Sequence, residues 1–187
     1  DDSEHFNGPA AVLVAPGGEI WVADGHRGGN NRVMKFSADG ELLLQLGGGV
    51  DDTSRESGRF NDPHDLKMDS QGRLFVADRG NNRIQIFDQA GELLDIWTQF
   101  GRPSGLWIDA DDRLYAADGM SGEQWNRGWE RGIRIGDARS GYVTEFIPDY
   151  EVQSGSGIEF LAADRDGNVF AGQVGRQRFE KYVRVRP

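Results

Sequence analysis

The chain contains only three histidines, His5, His26 and His64, and imidazole is the side chain best suited to acid–base chemistry or metal binding near neutral pH. His64 directly follows Pro63, whose ring fixes the backbone where an alternating apolar segment begins. His26 lies in a glycine-rich stretch, residues 25–29. We predict that His64 is a metal ligand or catalytic group, with a buried, hydrogen-bonded histidine as the alternative. We expect His26 to be an acid, a base or a ligand, and His5 to face solvent.

Asp78 and Arg79 are adjacent charged residues that could join these histidines in chemistry. Arg79 could hold an anion, because a guanidinium pairs well with carboxylates and phosphates. Asp78 could transfer a proton, but it recurs at matching places as Asp24 and Asp118, where such residues most often cap turns. We therefore keep His26, Asp78 and Arg79 as the catalytic candidates, with a structural cap as the alternative for Asp78.

A long insertion after Asp118 carries two tryptophans, Trp125 and Trp129, with Arg127 between them. Loops carry binding residues more often than strands do, and tryptophan offers a large flat surface with a polar edge. These three residues are our candidates for substrate binding, as a platform for an aromatic group, a sugar or a peptide. The alternative is that the tryptophans only cover a sheet.

Internal repeats organise the chain that must position these residues. A Phe-x-x-Pro segment begins at Phe6, Phe60 and Phe100, and an Ala-Asp pair follows each at a constant distance. The copies are separated by about 54 and then about 40 residues, and a degenerate fourth copy lies near 157–172. The repeated unit therefore occurs four times, with insertions.

Within each unit apolar residues alternate with polar ones over four to six positions, and Asp- and Gly-rich turns separate these runs. This pattern predicts four-stranded antiparallel meanders, and no segment has a helical period. Meanders of this length repeated in series are typical of an all-β propeller, because each blade buries its faces against its neighbours. We place the blades at about 6–49, 60–99, 100–150 and 155–187 of a single propeller segment; the last one ends after its third strand.

Composition limits the partners and the compartment. The 187 residues carry a net charge of −10, so binding to nucleic-acid phosphates is disfavoured. No apolar run is long enough to cross a bilayer, so a membrane is not an expected partner either. Cysteine is absent, which excludes disulfides and thiolate sites. A secreted or periplasmic location fits these features, although the cytoplasm remains open.

Residues 72–87 closely resemble an NHL repeat, and residues 30–36 form a second good copy. The order of the repeats, with Pro63-His64 followed by Asp78-Arg79, resembles the six-bladed lyase domain of peptidyl-α-hydroxyglycine α-amidating lyases and their uncharacterised bacterial relatives. The resemblance implies a metal-dependent lyase with zinc held by histidines at three Pro-His strand entries. Only His64 matches one of these entries. The resemblance also implies a tyrosine on the loop at the position where this chain has His26.

Six blades would need about 250 to 300 residues, whereas four repeats are visible. We therefore expect either about two further blades on the N-terminal side or a partner, including a second copy of the chain, that completes the ring. Two functions follow. The first is a ligand- or partner-binding propeller for a small molecule or peptide, with an incomplete lyase-like metal site. The alternative is an active metal-dependent lyase or hydrolase acting at the mouth of the central channel, with zinc as the implied cofactor.

Overall fold

The structure is a computed structural model that describes residues 5–49, 54–149 and 156–185. The described residues form fifteen β-strands in four antiparallel sheets, and their one helical element is a single 3₁₀ turn at Arg79–Asn81. The predicted all-β propeller fold with four repeated blades is thus confirmed. No helix of the described residues is long and apolar enough to cross a membrane.

The chain divides into two compact units, Asp1–Trp97 and Thr98–Pro187. The first unit contains sheet 1 (β1–β4) and sheet 2 (β5–β8), each a simple meander in chain order. Its strands are β1 (Pro9–Val14), β2 (Ile20–Asp24), β3 (Arg32–Phe36), β4 (Leu42–Gly47), β5 (Pro63–Met68), β6 (Leu74–Asp78), β7 (Arg83–Phe87) and β8 (Leu93–Trp97).

The second unit contains the four-stranded sheet 3 and the three-stranded sheet 4, again in chain order. Residues 150, 155, 186 and 187, at the edges of the predicted third and fourth blades, lie outside the described residues. The strands are β9 (Gly105–Ile108), β10 (Arg113–Asp118), β11 (Gly132–Asp137), β12 (Val143–Pro148), β13 (Ile158–Ala163), β14 (Val169–Gln173) and β15 (Arg178–Tyr182).

The turns between strands follow from aspartate chemistry. In the turn from β5 to β6, the Asp69 carboxylate accepts hydrogen bonds from the backbone N–H groups of Gln71 and Arg73, at 3.0 and 2.8 Å. Asp109 and Asp164 form the same local bonds in the corresponding turns of sheets 3 and 4. A side chain that replaces backbone partners in this way stabilises a tight reversal, and so the strands pair as meanders.

Each unit has its own apolar core between its two sheets. In the first unit β5 of sheet 2 packs against β1 and β2 of sheet 1, and in the second unit β13 packs against β9 and β10. The period-two alternation sends every second side chain into this layer. The first core contains Ala15, Trp21, Ala23, Val33, Phe60, Leu66, Leu74, Val76 and Phe87; the second contains Tyr115, Ala117, Ile133, Ile135, Ile158, Leu161, Val169 and Ala171.

Candidate functional site

The loop after β2 brings His26 to the beginning of β5. The N–H groups of Gly25 and His26 both donate to the carbonyl oxygen of Gly8, at 3.0 and 2.8 Å, which fixes the start of the loop. A Cβ on Gly25 would lie only 2.7 Å from Cδ of Pro63. A glycine is therefore needed here for the loop to approach the strand that carries His64.

Asp62 occupies the position just before Pro63 and has a left-handed backbone conformation, with φ of +57°. Aspartate tolerates this region better than most side chains. Its N–H donates to the side-chain oxygen of Asn31 at 3.0 Å, and this bond ties the loop of sheet 1 to the strand entry of sheet 2. The turn points the Asp62 carboxylate at His26 and Arg79.

Four side chains from three segments meet at this place, and we call His26, Asp62, His64 and Arg79 the His26 cluster. One Asp62 oxygen lies 3.1 Å from Nδ1 of His26. The other accepts from Nε and Nη2 of Arg79, at 2.9 and 2.6 Å. The rings of His26 and His64 meet edge to face with centroids 4.8 Å apart. Three of the residues predicted from the sequence are thus brought together: His26, His64 and Arg79.

The charges of the cluster are mutually compensating. Burial alone would raise the pKa of Asp62, but the adjacent Arg79 guanidinium and the hydrogen bonds from Arg79 and His26 hold this pKa below its ordinary value. Asp62 is therefore an ionised acceptor at neutral pH. The Arg79 side chain is almost fully buried, whereas the His26 side chain is partly exposed. Of these two side chains, His26 is consequently the more accessible to a ligand.

The His26–Asp62 pair defines what the imidazole can do. When Nδ1 of His26 carries the proton, it donates to the Asp62 carboxylate and leaves Nε2 as an acceptor. A carboxylate that orients a histidine in this way is a recurring device in general-base and metal-binding sites. The cluster can therefore accept a proton or hydrogen bond from a ligand, while Arg79 provides a fixed positive charge.

Asp78 lies outside the cluster in a buried hydrogen-bond network of its own. It accepts from the N–H of Asn61 at 2.8 Å, from Arg83 Nε at 2.6 Å and from Gln85 at 3.0 Å. Burial raises the pKa of Asp78 although the Asn61 N–H and Arg83 oppose that change. These three partners all belong to the blade of Asp78 or to the entry of that blade. This arrangement corresponds to the structural cap that the sequence left as the alternative.

The same arrangement recurs in sheets 1 and 3, and we call it the Asp–Arg bracket. Asp24 accepts from the N–H of Asn7 at 2.8 Å and from Arg32 Nε at 3.0 Å. Asp118 accepts from the N–H of Arg102 at 3.0 Å and from Arg134 at 3.3 Å. Each bracket ties the entry of a blade to its second and third strands, so its repetition points to a role in the fold.

The tryptophan loop lies in the second unit, between β10 and β11. Trp125 and Trp129 are partly exposed, and each stacks with an arginine from a neighbouring segment. The guanidinium of Arg102 lies 5.0 Å from the Trp125 ring, and that of Arg134 lies 4.8 Å from the Trp129 ring. Arg127 is exposed and pairs with Glu123 at 3.3 Å. The two indoles therefore have cationic partners other than the arginine predicted to act with them.

The residues of the cluster do not fit the zinc site that the resemblance implies. Catalytic zinc takes three protein ligands and keeps one open position. Both oxygens of Asp62 are engaged with His26 and Arg79, and the His26 and His64 rings pack edge to face. In the described part of the chain no three His, Asp or Glu side chains form a group that could hold a metal ion.

Asp62 is the member of the cluster that sequence reasoning missed. The signal was a departure from the repeat. Gly8 occupies the matching place before Pro9 in sheet 1, and Arg102 occupies it before Pro103 in sheet 3. An acidic residue at this position, two residues before the one histidine at a blade entry, could have pointed to the pair.

The comparisons with known proteins agree with this architecture. The NHL repeat family model matches residues 60–87, the segment that supplies Asp62, His64 and Arg79. The chain is 44% identical over 186 residues to human NHL repeat-containing protein 3, covering 95% of this chain and 50% of that protein. The chain therefore contains an NHL repeat at residues 60–87, has a β-propeller fold and is similar to this relative, of which it spans half the length.

A second relative connects the chain with amidating lyases. The chain is 38% identical over 88 residues to pgal-1 of Caenorhabditis elegans, which is named a probable peptidyl-alpha-hydroxyglycine alpha-amidating lyase. The match covers 46% of this chain and 24% of pgal-1. Among solved structures, the extracellular domain of a one-component system of B. thetaiotaomicron has a TM-score of 0.64 at 17% identity, covering 96% of this chain and 24% of that one. The latter likeness concerns the fold alone.

Proposed function

We propose that this chain is a ligand-binding propeller in which the His26 cluster takes a small molecule or peptide bearing a carboxylate. The observation that carries the proposal is the convergence of His26, Asp62, His64 and Arg79 from three segments of two sheets. The three cluster residues of sheet 2 are not needed by the repeat, because sheet 1 has Gly8, Ala10 and Gly25 where sheet 2 has Asp62, His64 and Arg79. A cluster that occurs once on a repeated scaffold favours a specific task.

The charges support an anionic group as the ligand's anchor. Asp62 and Arg79 compensate one another, so a proton taken up by either imidazole would give the cluster a net positive charge. A carboxylate could then accept a hydrogen bond from the partly exposed His26, near the guanidinium of Arg79. Trp125 and Trp129, each backed by an arginine, are a second candidate surface for ligand contact in the other unit.

Calorimetric titration with acetyl-trialanine, compared with its C-terminal amide, tests this proposal. We expect saturable binding of the acid form and binding at least tenfold weaker for the amide. His26→Gln should weaken binding of the acid by a similar factor, whereas the matched variant His5→Gln should not. Equal binding of both peptides, or equal loss in both variants, would contradict a carboxylate site at His26.

A lyase or hydrolase is the second candidate, favoured by the oriented His26–Asp62 pair and by the similarity to pgal-1. In that case His26 would act as the general acid or base. Asp62 would keep a proton on Nδ1 of His26 by accepting a hydrogen bond from it. The altered ligand set gives no support to a zinc-dependent step, so we propose binding as the primary role. We also propose a secreted or periplasmic location, which the absence of cysteine and the net charge of −10 support.

A further inference from the structure

One face of sheet 4 is apolar and exposed. We call Phe160, Ala162, Phe170, Gly172 and Phe179 the sheet-4 open face; cross-strand pairing places them on one side of β13, β14 and β15. Phe170 and Phe179 stack with centroids 5.9 Å apart, and these residues line a groove of about 500 Å³. The opposite side of sheet 4 packs against sheet 3, so this face is the one that lacks an adjacent sheet in its unit.

The repeat identifies what such a face packs against. Phe170 and Lys181 correspond to Trp21 and Lys35 of sheet 1: in both sheets the lysine lies opposite the aromatic residue, 5.2 and 5.1 Å from its ring. In sheet 1 this side is covered by sheet 2, and Trp21 is completely buried. The matching positions Val33 and Phe179 show the difference, with 0% and 69% of their surfaces exposed.

Sheet 1 presents the reciprocal face. Phe6, Val12, Val14, Ile20 and Phe36 form what we call the sheet-1 open face; Val14 and Ile20 are directly paired, as are Ile20 and Phe36. The ring of Phe6 contacts that of Phe36 at 6.1 Å between centroids. This side points away from the layer shared with sheet 2, in which the alternate residues Ala11 and Leu13 are packed.

In sheet 2 the residues matching this face belong to the core that contains Trp21, and all of them except the partly buried Met68 are buried. Phe60 is 0% exposed where Phe6 is 47% exposed, and Leu66 is 1% exposed where Val12 is 67% exposed. The Phe60–Phe87 contact at 5.9 Å likewise repeats the Phe6–Phe36 contact. The sheet-1 open face therefore has the residues of a surface that packs onto a Trp21-type face.

We propose that the two open faces bind each other between copies of this chain, with the sheet-1 open face of one molecule packing on the sheet-4 open face of the next. The contact would reproduce the sheet-to-sheet packing that each unit already contains. Large exposed apolar patches mark interaction surfaces, and here the internal repeat specifies the partner surface. Because the two surfaces differ, the association is head to tail and leads to a closed ring or a chain of molecules.

The length of the relatives favours a second copy as the occupant. This chain spans 50% of human NHL repeat-containing protein 3, so two copies supply the same length of polypeptide. Both faces would then be covered by residues that the sequence itself contains. Additional blades of a longer polypeptide would cover the same faces within one molecule, and a polypeptide of that length would then sediment as a monomer.

The test uses single-face variants in sedimentation velocity over about 1 to 100 µM. We expect the unaltered protein to associate and both Val12→Glu and Phe160→Glu to be monomeric, each with at least tenfold weaker association. Tyr142→Glu changes an exposed aromatic residue outside both faces and should associate normally. Circular dichroism and thermal unfolding establish that all variants are folded.

Mixing the two single-face variants is the decisive experiment. Val12→Glu retains an intact sheet-4 open face and Phe160→Glu an intact sheet-1 open face, so an equimolar mixture should form a one-to-one complex that neither variant forms alone. A monomeric unaltered protein would overturn the proposal. Association that survives in either variant, fails to return on mixing, or is lost equally in Tyr142→Glu would overturn it too.

Discussion

Two carboxylates of the same blade, Asp78 and Asp62, have different roles. Asp78 is fully buried and belongs to the Asp–Arg bracket, which sheets 1 and 3 repeat with Asp24 and Asp118. Asp62 belongs to the His26 cluster, which occurs once and has a partly exposed histidine. Repetition thus separates the residues that maintain the blades from the residues available for a ligand.

The largest expected loss of stability comes from breaking the Asp–Arg bracket of sheet 2. Asp78→Ala would leave Arg83 buried without its carboxylate and would remove the acceptor for the Asn61 N–H. Removing one partner of a buried pair costs about 3 to 5 kcal/mol of unfolding free energy. Urea unfolding of the variant measures this loss. Asp111→Ala, at an exposed turn position, is the matched control and should change stability by less than about 0.5 kcal/mol.

The Asp–Arg bracket and the His26 cluster differ in how much of each can be predicted from the sequence. Strand alternation and Asp-Gly turns are local signals, so the four blades could be located from the sequence. His26, His64 and Arg79 were also recognisable as reactive residues. Their convergence on Asp62 was not, because it depends on how the loop after β2 meets the start of β5. Nor could local sequence show that Arg102 and Arg134, rather than Arg127, stack on the tryptophans.

A smaller effect is expected when Asp62 loses its charge. Asp62→Asn would weaken the contacts to Arg79 and His26, at a cost of about 1 kcal/mol near neutral pH. Because the folded-state pKa of Asp62 lies below its ordinary value of 3.8, its charge stabilises the fold above that value. This contribution disappears as the pH falls through the lowered pKa.

Urea unfolding of Asp62→Asn and the unaltered protein between pH 7 and pH 2 measures this contribution. The two curves should be separated at pH 7 and converge in acid. A constant separation at every pH would show that the substitution acts through packing and not through the Asp62 charge, and a loss as large as that of Asp78→Ala would remove the distinction between cluster and bracket.

Zinc should have the smallest effect on stability. Since the cluster does not present three ligands, we expect no change in melting temperature when zinc is added in excess. Tight binding at a hundredfold excess over the dissociation constant would stabilise the fold by about 2.7 kcal/mol. A shift that disappears in His64→Ala would contradict this prediction and favour the metal-dependent lyase.

The central claim is that His26 and His64 form one ligand site, which nuclear magnetic resonance of the imidazole nitrogens tests directly. The protein has only three histidines, so the signals of His26 and His64 can be assigned by substitution, with His5 as an internal reference. On titration with acetyl-trialanine we expect the signals of His26 and His64 to shift together and saturate, while that of His5 stays unchanged. In Asp62→Asn the shift should weaken. Signals that all move equally, or a saturating shift confined to His5, would contradict the account.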